Sequence, residues 1–147
     1  MDESQAVAEA NLRLDGVSGA TPLERRRDGW WMNAPFLDVM AMAEVMDQLG
    51  ARLGTMTGVT LDGGETAVIY HYVLGSAAIN IRTHTRGRSL PSTTPVTRAA
   101  DWIEREIHDL FGVDFSGHPN LTRLIRPPQV PQGFFRRPEG AIKEPQA

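Results

Sequence analysis

"TMTGVTLDGGETAVIYHYVLGSAAINIRTHT", residues 55–85, decides the fold. Its residues alternate with a period of two on either side of Asp62-Gly63-Gly64. That tripeptide supplies the positive φ angles a tight connection demands, so "TMTGVTL" and "ETAVIYHYVL" read as a hairpin. A second break at Gly75-Ser76 leads into "AAINIRTHT", a third strand. In the middle strand Val68, Tyr70, Tyr72 and Leu74 share one face, and Ala67, Ile69, His71 and Val73 share the other. Apolar residues on both faces place this strand inside the sheet rather than at its edge. Three antiparallel strands do not stand alone with a buried face, so helices must cover them. The expectation is an α+β, two-layer domain with a small, mainly antiparallel sheet under helices.

Two amphipathic helices flank the strands. The first is expected from Asn33, which can cap, through Pro35 in the first turn, with Phe36, Val39, Met40, Ala43, Met46 and Leu49 at helical spacing before Gly50. For the second, Ser92, Thr93 or Thr94 can cap and Pro95 suits the first turn. Val96, Ala99, Ala100, Ile103, Ile107, Leu110 and Phe111 then trace its stripe, and Gly112 suits the left-handed residue after a helix end. Residues 1–34 show no sustained period and are expected to be irregular. Residues 35–112 form the core domain. Six of the ten prolines fall between Pro119 and Pro145, which forbids regular helix and predicts an extended arm over 113–147.

Composition narrows the function classes. A chain of 147 residues fits one core plus appendages. The net charge of −3 gives no general attraction to nucleic acid or anionic lipid. No apolar run approaches a membrane span, and the acidic start "MDESQAVAEAN" lacks signal-peptide features, so a soluble, cytoplasmic protein is expected. With no cysteine there are no disulfides, thiolate metal sites, Cys-ligated iron–sulfur clusters or Cys nucleophiles. Arginine outnumbers lysine fourteen to one, Lys143 being the single lysine. Arg keeps planar, bidentate pairs at desolvated interfaces better than Lys does, although a coding bias would give the same count.

The densest charge lies in "DWIEREIHDLFGVDFSGHPNLTRLI", residues 101–125. Asp101, Arg105 and Asp109 stand four apart, as do Glu104 and His108, and exposed pairs of this kind contribute only tenths of a kcal/mol. One reading makes the stretch a small stand-alone metal- or acid/base-dependent enzyme using Glu104, His108 and His118, with Glu106 and Asp109 nearby. The spacing differs from the two-His metalloprotease helix, and no Gly-rich phosphate loop or Ser elbow accompanies it. A second reading joins Arg25, Arg26, Arg27, Arg136 and Arg137 with Phe134 and Phe135 as a nucleic-acid surface, but the acidic helix would repel phosphate. A third makes the helix, the Gly117-His118-Pro119 turn and the Arg-bearing, Pro-rich arm a surface for another protein. The bland alternative is a solvated helix with a loose terminus.

"EREIHDLFGVDFSGHPNLTRLI" closely resembles the signature of the 30 kDa subunit family of respiratory complex I, the bacterial NADH-quinone oxidoreductase, a family that also occurs in membrane-bound group 4 [NiFe] hydrogenases. The matching residues are Glu104, Arg105, Glu106, Asp109, Leu110, Phe111, Gly112, Phe115, Gly117, His118, Pro119, Arg123 and Leu124. "ARLGTMTGV", "VIYHYV", "INIRT" and "LPSTTPVTRAADW" also fall in place, so the likeness covers roughly residues 35–126. "GARLGTMTGV" and "YHY" look more like the hydrogenase branch. The tail departs from the family's Gly-Pro-Leu-Arg-Lys-like segment with "PQGFFRRPEG", keeping Gly133, Arg136 and Arg137.

The resemblance implies a non-catalytic, cofactor-free subunit without metal, clasped to a large subunit of the 49 kDa or NiFe-hydrogenase type and beside an iron–sulfur subunit. It implies no nucleic acid, membrane association only through partner subunits, and a place on the cytoplasmic face of the cell membrane. The residues expected at the partner interface are Glu104, Arg105, Glu106, Asp109, Gly117, His118, Pro119, Arg123, Arg136 and Arg137.

Overall fold

A computed structural model describes residues 1–122, 132 and 133. Among them, helices and strands follow the order α1 (Glu3–Leu14), β1 (Glu24–Arg26), β2 (Gly29–Asn33), α2 (Val39–Gln48), β3 (Arg52–Thr60), β4 (Thr66–Leu74), β5 (Ala77–His84), β6 (Ser89–Pro91), α3 (Ala100–Phe111) and β7 (Asp114–Ser116). The hairpin and third strand read from residues 55–85 are β3, β4 and β5, antiparallel throughout. Asp62–Gly64 closes the first connection with Gly63 and Gly64 at φ 87° and 85°, a conformation a Cβ would strain.

The sheet is larger than the three central strands, with order β1-β2-β5-β4-β3. β2 runs parallel to β5, from Trp30 opposite Ile79 to Asn33 opposite Arg82, and β1 pairs with it antiparallel. The fold is α+β and the sheet mainly antiparallel, as expected, with β2–β5 the one parallel pair among its described strands. β4 is an interior strand, as its two apolar faces require.

One face of the sheet carries the core. Tyr70, Tyr72, Ile79 and Ile81 pack there with Leu14 of α1, Met42 and Met46 of α2, and Ile107 of α3. Burying side chains of this size contributes about 1.5–3 kcal/mol each. Helix α3 crosses β3 where Gly58 leaves room: a Cβ built there would lie 2.8 Å from the Phe111 ring.

The N-terminal third differs most from expectation. Residues 3–14 are helical, begun by a capping box in which the Asp2 carboxylate accepts from the Gln5 N–H while Gln5 Oε1 accepts from the Asp2 N–H. The helix buries Ala6, Val7, Ala10 and Leu14, a stripe half made of alanine. Helix α2 begins later than Asn33 because residues 29–33 are taken up by β2. Its cap is Asp38, whose carboxylate accepts from the Ala41 N–H at 3.1 Å. Helix α3 likewise starts at Ala100. Residues 93–99 form tight turns, with Val96 N–H donating to the Thr93 carbonyl and Ala100 N–H to that of Thr97.

Gly112 ends α3 in the left-handed region, as its position predicts. Beyond it the chain is not simply extended, since β7 pairs in parallel with β6. Arg123, Arg136 and Arg137 and most of the expected arm lie outside the described residues.

Candidate interaction surface on the last helix

Helix α3 has two opposite flanks, and the charges divide between them. Glu104 points inward with no exposed surface. Its Oε1 accepts from Ser92 Oγ and Thr94 Oγ1, both at 2.6 Å, and its Oε2 from the Thr93 N–H at 2.8 Å and Thr93 Oγ1 at 3.3 Å. Four donors on two oxygens suit an acceptor-only carboxylate. Ser92, Thr93 and Thr94, expected to cap the helix, instead clasp a side chain one turn inside it. Glu104 is therefore corrected from a partner contact to an internal latch. Its carboxylate is spent within the chain.

Two tyrosines face this carboxylate from β4. Burial first, and the Glu104 charge second, hold the Tyr70 hydroxyl well above the usual phenol range, and Tyr72 is raised for the same two reasons. Neither hydroxyl has a hydrogen-bond partner among the described residues.

His118 sits at the other end of α3. The Asn120 N–H donates to its Nδ1 at 2.9 Å, so Nε2 carries the proton and donates to the Asp101 carbonyl at 3.3 Å, with the Asp101 carboxylate 3.0 Å away. The imidazole is wholly buried and ties the Gly117-His118-Pro119 turn to the first turn of α3. His108 works at the helix end. Its Nδ1 donates to the Val113 carbonyl at 2.8 Å, leaving Nε2 to accept from Gln132 Nε2 at 2.9 Å. The Gly133 N–H then donates to the Asp109 carbonyl at 2.8 Å, bringing that point of the arm back onto α3. Asp109 is itself buried.

The outward flank offers Trp102, 65% exposed, and Glu106, also exposed. Arg105 lies 5.6 Å from the Trp102 ring centroid, and its Nη2 donates to Thr122 Oγ1 at 3.1 Å. The cation is thus held over the indole. Gly117 and Pro119 are exposed at the same end of the helix. Sequence reasoning missed Trp102, although a tryptophan off the apolar stripe Ile103-Ile107-Leu110 was a visible signal. The enzyme candidates Glu104, His108 and His118 are held by different partners, and no group of three His, Asp or Glu that could hold a metal occurs among the described residues. Among those residues no helix is long and apolar enough to cross a membrane.

Comparison with known proteins places this geometry. The C/D subunit of NADH-quinone oxidoreductase from Ectopseudomonas mendocina is 29% identical over 145 residues, covering 87% of this chain and 24% of that protein. Its counterpart from Methylococcus capsulatus is 45% identical over 65 residues, 42% of this chain and 11% of that one. The chain thus spans about a quarter or less of the length of these curated relatives. A trypsin-resistant fragment of Nqo5 superposes with a TM-score of 0.59 at 25% identity, over 80% of this chain and 98% of the fragment. A chain of the membrane-bound sulfane sulfur reductase, an archaeal respiratory membrane complex, shares the fold with a TM-score of 0.62 at 22% identity, over 78% and 71% of the two chains. Residues 33–139 match the family described as respiratory-chain NADH dehydrogenase, 30 Kd subunit, and the chain belongs to that family.

Proposed function

We propose that this chain is a cofactor-free, non-catalytic subunit of a complex I-like, membrane-associated redox complex, either a group 4 [NiFe] hydrogenase or an NADH-quinone oxidoreductase. It braces the large subunit that holds the nickel–iron site or the quinone pocket, next to an iron–sulfur subunit, on the cytoplasmic side of the membrane. The zero cysteine count agrees with a chain through which no electrons pass.

One observation carries this reading: the Trp102 indole stands in solvent with the Arg105 guanidinium over its ring, on the helix that bears the family's string of matching residues. Tryptophan and arginine are the side chains most enriched among residues that dominate binding energy, and a pair formed in advance loses little entropy on docking. Glu106, Gly117 and Pro119 border the pair. Arg123, Arg136 and Arg137 remain proposed contacts of the arm.

The test is co-purification of the tagged chain from its native membrane. A large subunit should accompany it, and intact four-Cys nickel ligation in that subunit separates a hydrogenase from a quinone reductase. Trp102→Ala and Arg105→Ala should each fold yet weaken assembly by about 2 kcal/mol or more. Normal assembly and full activity of the complex carrying both substitutions would refute the docking surface.

A further inference from the structure

Among the described residues, the helices leave one face of the five-stranded sheet uncovered. We infer that this face is a second docking surface, and that it takes an acidic polypeptide segment of a neighbouring chain whose carboxylate meets the Arg82 guanidinium. This rests on the proposal that the chain works inside an assembly, but uses the opposite layer from α3.

Charge is the first argument. β3, β4 and β5 contain no Asp or Glu. By register their uncovered face presents Arg52, His71, Arg82 and His84, with Ile69 directly across from Arg82. On the neighbouring strands, Glu24 and Asp28 lie at the β1–β2 edge. There Glu24 stands 3.9 Å from Arg26, and Asp28 accepts from Trp31 Nε1 at 2.8 Å. Neither answers Arg82.

Arg82 is the second argument. Its Nε is buried without a hydrogen-bond partner among the described residues. A guanidinium donor withdrawn from water and unmet is costly, and a carboxylate satisfies it together with the neighbouring N–H in one planar, bidentate pair. The surroundings are already set for such a visitor. His71 is locked between Thr57 Oγ1 at 2.8 Å and Asn80 Oδ1 at 2.7 Å, and Trp31 stands edge-on to it with ring centroids 6.5 Å apart.

A protein segment fits better than a nucleic acid. Stacked bases need open aromatic faces, whereas Arg26 lies 5.5 Å over the Trp31 ring. The chain's net charge of −3 also disfavours a polyanion.

Arg82→Lys adds an amine to a chain in which Lys143 is the single lysine. The complex is purified with the R82K chain in place and treated with a water-soluble carbodiimide, which joins amines to carboxylates in direct contact. We expect the peptide containing position 82 to be linked to an Asp or Glu of another chain. Arg82→Glu should reduce recovery in the complex about tenfold or more, because like charges then face each other, while R82K, which keeps the charge but loses the bidentate pair, should be recovered at a level between R82E and the natural chain.

A link only to this chain's own carboxylates overturns the inference. So does equal acetylation of the new amine in the complex and in the isolated chain. Salt-sensitive binding of single-stranded RNA that R82E abolishes, with no protein link at position 82, assigns the face to nucleic acid and overturns it as well. If the natural chain brings down no large subunit, the proposed function fails first, before any variant is made.

Discussion

Glu104 and Glu106 stand two residues apart on one helix and have opposite fates. Glu104 lies under the 92–94 loop with four donors on its carboxylate, while Glu106 faces water. The difference teaches that a charge-rich helix in this family member is two devices in one. The inner flank closes the fold, and the outer flank is left for recognition.

The largest effect expected from breaking that division is Glu104→Ala. It orphans three hydroxyls and a backbone N–H in a buried site, and each unsatisfied buried group costs about 1–3 kcal/mol, so stability to thermal unfolding should fall by several kcal/mol in sum. A variant as stable as the natural chain would remove the latch. Gly58→Val should follow, at about 1–3 kcal/mol, because the added side chain enters the space of the Phe111 ring and pushes α3 off β3. Denaturant midpoints measure it directly.

Alkali probes the same inner flank through Tyr70 and Tyr72. Their folded pKa values lie above the unfolded value of about 10. Above that pH the unfolded chain loses phenolic protons that the native chain retains, so stability is full below about pH 10 and declines as pH rises towards the native values. The double variant Tyr70→Phe, Tyr72→Phe should flatten that decline in unfolding measured between about pH 9 and 11. An unchanged slope would show that the tyrosines do not titrate against the fold. The smallest stability effect belongs to the outer flank: Glu106→Ala should shift unfolding by no more than about 0.5 kcal/mol while reducing assembly. A large loss of stability there would erase the contrast between the flanks.

What the sequence disclosed depended on how local the signal was. β3, β4 and β5 are neighbours in the chain joined by glycine turns, so alternation alone places them. The left-handed Gly112 marks a helix end by chemistry confined to one residue. The N-terminal helix was harder because alanines at 6 and 10 do half the packing, too small to stand out as an apolar stripe, although Asp2 and Gln5 spelled its capping box. Asn33 looked like a cap because its role as the end of β2 depends on Arg82, far along the chain. At the site, the charged string was visible at once. That Ser92, Thr93 and Thr94 turn Glu104 inward was not, since a capping triplet and a carboxylate clasp have the same composition.

The parallel match of β2 with β5 also sets an order of events. The β3–β4–β5 meander can zip by short connections, whereas β2 must arrive across the whole of α2 and that meander, a closure with a larger entropic barrier. During synthesis the exposed rim of β5 therefore waits, an open template for mispairing until the earlier-made segment folds back upon it.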